Sequence, residues 1–263
     1  MSVLVCFHAH PDDEVFVTGG VMRQAADAGH RVVVVTATDG ALGEVPDGLL
    51  ADGETLAQRR RRELEASTSV LGAHRVVMLH YADSGMAGTP ENANADAFCN
   101  VDVDTAAARL AEILVEESAD VLTIYDPNGG YGHPDHIQVH HVGVRAAELA
   151  NVPHVYEAAV SRDHLRRMIA ANPAWSAEAE GVSGPQSPDF DTFGLSDDEI
   201  TTVVDVSAAL DAKRAAMHAH ETQIGDFGPF LQMPVEQLQA AFGQEWFRRR
   251  GAPDGLAETA LPL

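Results

Sequence analysis

The feature that most constrains this chain is an alternation. Over its first 160 residues, short Val-rich apolar runs take turns with longer amphipathic stretches. The apolar runs predict strands over 3–7, 31–38, 75–79, 121–125 and 154–160. The stretches between them predict helices over 15–28, 54–71, 104–117 and 134–150. The strand runs are continuously apolar, as they must be in a sheet covered on both faces. Strand, helix, strand at this spacing implies right-handed crossovers and a mostly parallel sheet. The expected fold class is α/β, a Rossmann-like three-layer sandwich.

Two long irregular segments, 39–53 and 83–102, interrupt the alternation. Each follows a predicted strand, and loops of that length in a compact domain are usually functional. Beyond residue 160 the pattern changes. It predicts a helix over 164–171, a Pro/Gly/Ser-rich connection over 172–195 and a strand over 200–206. A helix over 207–221 with Ser207 as its cap and a short last strand over 244–249 follow. The expectation is one domain over 1–263: a core over 1–160, a small C-terminal α+β extension or cap over 161–250, and a loose tail over 251–263.

Composition excludes several function classes. The chain has 263 residues and a net charge of -23, with Lys213 its single lysine. Phosphate contact needs basic clusters, so nucleic acid is not an expected partner. No apolar stretch approaches the ~18 residues of a membrane span, so no membrane insertion is expected. The first strand begins at Val3, with no basic and apolar leader before it, and two cysteines, Cys6 and Cys99, make no disulfide framework. A cytoplasmic location follows as an expectation; oligomeric state is not legible.

Chemistry concentrates at two strand ends. After the first strand comes His10-Pro11-Asp12-Asp13-Glu14. Open α/β sheets bind ligands at that edge, and three carboxylates crowded there need a cation. An acidic helix start would explain Asp13 and Glu14 but not His10. After the fourth strand comes Asp126-Pro127-Asn128-Gly129-Gly130-Tyr131-Gly132-His133-Pro134-Asp135-His136. Its glycines let backbone approach a ligand, and Pro134 suits a helix start. Together the loops offer His10, Asp13 and His136 as a His₂-carboxylate metal set with an open position. Zinc and ferrous iron both suit such donors. Asp12 is left as a general base. His133 is left to stabilise an oxyanion or protonate a leaving amine, with Asp135 orienting its ring. His140 and His141 read as ordinary helix imidazoles.

The pair of motifs His10-Pro11-Asp12-Asp13-Glu14 and His133-Pro134-Asp135-His136 resembles the PIG-L/LmbE-like metal-dependent deacetylases. The segment Asp83 to Pro90 is similar to the mycothiol branch of that family, as is Lys213-Arg214-Ala215-Ala216-Met217 with His220, Thr222 and Gln223. The resemblance implies an LmbE-like fold, one Zn²⁺ per chain (Fe²⁺ being possible), and removal of acetyl from a GlcNAc-type amine such as N-acetylglucosaminyl-inositol. It implies His10, Asp13 and His136 as metal ligands, Asp12 as base, and His133 with Asp135 as acid or oxyanion partners. It further implies Tyr131 as a mobile residue near the scissile amide, and Arg60 and Asp83 as substrate-binding residues. The small-molecule partner is then an N-acetyl amino sugar. The loop Thr38 to Val45 departs from the family's usual form, so the exact amino sugar stays open. Three alternatives remain: a mycothiol S-conjugate amidase with a larger acyl group, a nucleotide-binding Rossmann protein, and a metal-binding module without catalysis, which would need neither Asp12 nor His133. The second predicts a Gly-rich turn where this chain has His-Pro-Asp-Asp-Glu.

Overall fold

A computed structural model describes residues 1–171, 193–253 and 255–263. A sheet of seven strands runs through it in the order β3-β2-β1-β4-β5-β7-β6. The strands are β1 (Val3–His8), β2 (Arg31–Thr38), β3 (Arg75–Tyr81), β4 (Val121–Tyr125), β5 (His154–Ala159), β6 (Thr202–Asp205) and β7 (Gln244–Arg249). The first five pair in parallel. β7 runs antiparallel between β5 and β6. The expected α/β fold with a mostly parallel sheet is the one observed, and the strands of the C-terminal extension complete the same sheet.

The helices are α1 (Asp13–Val17), α2 (Gly19–Asp27), α3 (Leu56–Val70), α4 (Val103–Glu117), the single turn α5 (Gly129–Gly132), α6 (Pro134–Ala150), α7 (Arg162–Ala171), α8 (Leu210–Ala219), α9 (Ile224–Leu231) and α10 (Val235–Phe242). Side chains of β1 alternate between two apolar layers. Val3, Val5 and Phe7 pack with Leu110 and Leu114 of α4 and Val139 and Val142 of α6. Leu4 and Cys6 pack with Met22 of α2, Met217 of α8 and Phe247 of β7. That two-sided burial is why the strand reads as one continuous apolar run.

Three expectations change. The helix over 15–28 is broken at Thr18, whose backbone leaves the helical region at φ -138°. The cause lies far along the chain: the Glu245 carboxylate accepts from Gly20 N at 2.7 Å and Val21 N at 2.9 Å, capping a second helix start. Ser207 is not a cap; it donates its hydroxyl to Asp205 Oδ1 at 2.5 Å, and a 3₁₀ turn over Ser207–Ala209 precedes α8. The tail, expected to be loose, is anchored. Glu258 accepts from Tyr156 and Thr202 hydroxyls at 3.0 and 2.9 Å, and Leu261 is buried. Most of the expected 172–195 connection lies outside the described residues. The 39–53 loop has neither helix nor strand, while 83–102 holds two 3₁₀ turns, Pro90–Ala93 and Phe98–Asn100.

The order of the sheet positions the site. The chain leaves β1 toward β2 and β3, then returns to place β4 on the other side of β1. A crevice opens at such a reversal, outside the carboxyl ends of the two central strands. The loops after β1 and β4 both end there.

Candidate active site

The β1 loop is bent by its own side chains. His10 N donates to Asp13 Oδ2 at 2.8 Å and Asp12 N to Glu14 Oε2 at 2.9 Å. Between them Asp12 sits at φ 116°, left-handed backbone that a non-glycine side chain adopts only under constraint. The bend separates the neighbours Asp12 and Asp13. Asp13 lies between two imidazoles, one carboxylate oxygen 3.4 Å from His10 Nδ1 and the other 3.4 Å from His136 Nε2. Asp12 faces Arg60 instead, Oδ2 to guanidinium at 3.0 Å.

The β4 loop brings the other half. Gly129, Gly130 and Gly132 all adopt positive φ, and a Cβ on Gly129 would lie 2.7 Å from His136, so only glycine fits that approach. Pro134 opens α6, and His133 caps it, Nδ1 accepting from Asp135 N at 3.1 Å. His136 stacks on Tyr125 with ring centroids 4.5 Å apart, and the Tyr125 hydroxyl bonds His8 Nδ1 at 2.9 Å. One ring nitrogen from each of His10, His133 and His136 lies within 4.8 Å of the others. All three histidines are buried.

The structure thus brings together the expected set His10, Asp13 and His136, and adds the His133 imidazole beside it. Two imidazoles and a carboxylate converging on one buried point suit a divalent cation. The local charge balance points the same way. Burial disfavours a charged His10, yet hydrogen bonds to Asp13 and Asp135 with the charge of Asp83 override it and push the imidazole up to about 10. Asp13, though buried, is held well below the carboxylate range by His136 and His10. A site that recruits protons so strongly is short of positive charge.

Asp12 and His133 sit differently. Burial raises Asp12 to about 6 against the opposing charge of Arg60. Burial and the neighbouring His10 and His136 lower His133 to about 3. Because its Nδ1 already accepts a backbone N–H, the neutral ring carries its proton on Nε2. Asp135 does not orient that ring with its carboxylate, as the sequence suggested. The carboxylate accepts from Ser84 N at 3.0 Å and from the Ser84 hydroxyl, and bonds His10 Nε2 at 3.2 Å.

The remaining predicted residues line the same cavity, of about 730 Å³. Asp83 accepts from Leu42 N at 3.1 Å and Gly85 N at 2.9 Å and lies 3.8 Å from His10 Nε2. Arg60 is the one buried residue of Arg59–Arg62; it donates to Gly40 O at 2.9 Å and to Pro11 O. Tyr131, half-exposed on its glycine-flanked turn, holds its hydroxyl 3.5 Å from His136 Nε2.

Sequence reasoning missed most of the support beneath these groups. Glu14, read as a helix-start carboxylate or one that supports the ligands from behind, is fully buried in the supporting place, with Oε1 bonded to His220 Nε2 at 2.7 Å and Ser67 Oγ at 2.5 Å. Through its other oxygen it holds the Asp12 backbone. Glu63 accepts from Thr222 N at 3.0 Å and Oγ1 at 2.6 Å, tying α3 to the same C-terminal stretch. Ser84 and Tyr125 likewise carried no signal beyond their places next to Asp83 and Asp126.

Comparison with known proteins is specific. The PIG-L family model, described as GlcNAc-PI de-N-acetylase, matches residues 5–147. A protein of Acidothermus cellulolyticus named 1D-myo-inositol 2-acetamido-2-deoxy-alpha-D-glucopyranoside deacetylase is 43% identical, over 93% of this chain and 87% of its own length. Among solved structures, the N,N'-diacetylchitobiose deacetylase of Pyrococcus horikoshii superposes with a TM-score of 0.58 at 22% identity, over 94% of this chain and 83% of that one. A 4-carboxy-2-hydroxymuconate hydratase, GalB, of Pseudomonas putida superposes equally well, TM-score 0.58 at 18% identity, over 96% and 98%. The structural likenesses therefore carry the fold alone.

Proposed function

The chain belongs to the PIG-L family of GlcNAc-PI de-N-acetylases, and from that premise we propose that it hydrolyses the acetamide of a GlcNAc-type amino sugar such as N-acetylglucosaminyl-inositol. The observation that carries this reading is the division of labour between neighbours: Asp13 lies between His10 and His136, while Asp12 is turned away with its proton affinity raised.

In this reading His10, Asp13 and His136 hold one Zn²⁺ per chain, with Fe²⁺ suited to the same donors. When bound, the metal supplies a Lewis acid that polarises the amide carbonyl and acidifies water. Asp12 Oδ takes a proton from the water that attacks the carbonyl carbon. A general base works best with a pKa near the working pH, and burial lifts Asp12 toward that range. His133 donates from Nε2 to the amide oxygen as it gains negative charge; a neutral ring fixed in one tautomer needs no reorganisation to do so. As the C–N bond breaks, the proton held on Asp12 passes to the amine nitrogen, releasing acetate and free amino sugar. Asp135 positions His10 and Arg60 positions Asp12; Arg60, Asp83 and Tyr131 are the residues assigned to the sugar. The negative surface leaves no electrostatic footing for nucleic acid, and no helix among the described residues is long and apolar enough to cross a membrane. We assign the whole chain to one catalytic domain working in the cytoplasm.

The test is acetate release from N-acetylglucosaminyl-inositol before and after treatment with a chelator. Activity is expected to vanish with the metal and return on adding Zn²⁺ or Fe²⁺; undiminished turnover by metal-free protein would refute the mechanism.

A further inference from the structure

A second cavity, of about 250 Å³, opens beside the first. Phe16 and Phe230 line both. Most of the rest of its wall comes from the end of β5, from α7, from the end of α10 and from β7, including Ala159, Leu165, Met168, Phe242 and Trp246. Two of its polar neighbours, Glu245 and His164, are already engaged, and Gln244 is exposed at the surface. The Glu245 carboxylate is held by Lys213 Nζ at 2.7 Å and by the start of α2, and His164 Nε2 meets Ala240 O at 2.9 Å. What faces the space is aliphatic and aromatic.

The order of the sheet gives this cavity a direction. β2 and β3 lie on one side of β1 and β4, and β5 and β7 on the other. In the half of the main cavity built by the β2 and β3 loops, Glu44, Asp83, Thr89 and Glu91 stand in the wall beside Leu42 and Met86. Those groups suit the hydroxyls of a sugar. The groups assigned to bond cleavage stand in the middle, on the β1 and β4 loops. An amide with its sugar on the β2/β3 side must send its acyl group toward β5 and β7, where the apolar cavity begins. Phe16 stands four residues after Asp12, one turn along α1.

We propose that this cavity is an acyl subsite, and that the enzyme hydrolyses amino-sugar amides with apolar acyl chains longer than acetyl. The proposal rests on the amide-hydrolase reading above. A cavity of about 250 Å³ is smaller than the ~300–1,000 Å³ that takes drug-sized ligands. Its apolar wall suits a straight chain of a few carbons better than a second sugar, whose hydroxyls would find few partners there. Phe16 and Phe230, edge to face with centroids 6.1 Å apart, form the wall such a chain passes. The chemistry is unchanged: water adds to the carbonyl, the C–N bond breaks, and the products are a short fatty acid and the free amine.

The experiment measures kcat/KM of the metal-loaded enzyme on glucosaminyl-inositol amides of acetate, butanoate and hexanoate. Each added methylene is expected to raise kcat/KM by about two- to fourfold as it leaves water. Two substitutions on α7, away from the catalytic groups, bracket the result. Leu165→Trp fills the cavity and is expected to lower hexanoyl turnover by about tenfold or more while sparing acetyl. Met168→Ala enlarges it and is expected to shift preference toward the longest chain. Hydrolysis of the acetyl amide alone would overturn the acyl subsite and leave the deacetylase reading standing. So would a chain-length preference that neither variant moves. No turnover on any of the three amides would overturn both.

Discussion

Two buried regions of this molecule hold carboxylates against cations, and they are built on opposite plans. At the base of α2, Lys213 Nζ meets Glu245 Oε1 at 2.7 Å, both side chains 1% exposed. Glu245 also receives two backbone N–H groups, and Lys213 donates to Phe16 O at 3.2 Å. Each charge there is matched. At the tip of β1, Asp13, Asp83 and Asp135 crowd around His10, whose imidazole is driven up to about 10, with Asp12 beside them on Arg60. There the backbone at Asp12 is left-handed as well. Matched charge with relaxed backbone belongs to a structural tie. Excess charge of one sign with strained backbone belongs to a site that expects a cation or a substrate to finish it.

Variants on the two sides should therefore fail in different ways. The largest effect is expected for Asp12→Asn, which keeps the shape of the site and removes the base. Acetate release should fall by about 10²–10⁴-fold with the thermal midpoint little changed, as read by calorimetry beside the assay. Next is Lys213→Met, which leaves Glu245 buried and short of its cation. Denaturant unfolding should report about 3–5 kcal/mol of lost stability, while kcat of the folded protein stays close to the parent's. A reversal, with Lys213→Met abolishing turnover in fully folded protein, would erase the distinction. The smallest effect is expected for His220→Ala, since His220 is bonded to Glu14 and acts on Asp12 by its charge without lining the cavity. It should lower kcat about tenfold through one lost charge-assisted hydrogen bond and leave KM unchanged. His220→Gln, which still offers an N–H to Glu14, should restore most of that loss.

Much of the fold and the front of the site were legible in the sequence, for reasons that are local. Strands such as β2 and β4 bury both faces, so they announce themselves as unbroken Val, Leu and Ile. His10 with Asp13, and His133 with His136, stand a few residues apart on loops that one strand and one helix hold in place. What stayed hidden depends on partners distant in the chain. The break at Thr18 follows from Glu245, and no window around Thr18 contains that information. Asp135 was paired with its sequence neighbour His133, but folding delivers Ser84 and His10 to its carboxylate first. The tail looked loose because it is a short terminal segment; Glu258 found the hydroxyls of Tyr156 and Thr202 across the sheet edge.

The bond between Glu14 and His220 spans 206 residues, and that from Glu245 to Gly20 spans 225. A chain synthesised from its N-terminus at about 5–20 residues per second displays its acidic first loop tens of seconds before either partner exists. During that interval Glu14, which holds the Asp12 backbone, lacks its His220 partner, and α2 lacks the carboxylate at its start. The β1 side of the site is thus written early and completed late, because its supports at His220 and Glu245 arrive more than 200 residues afterwards.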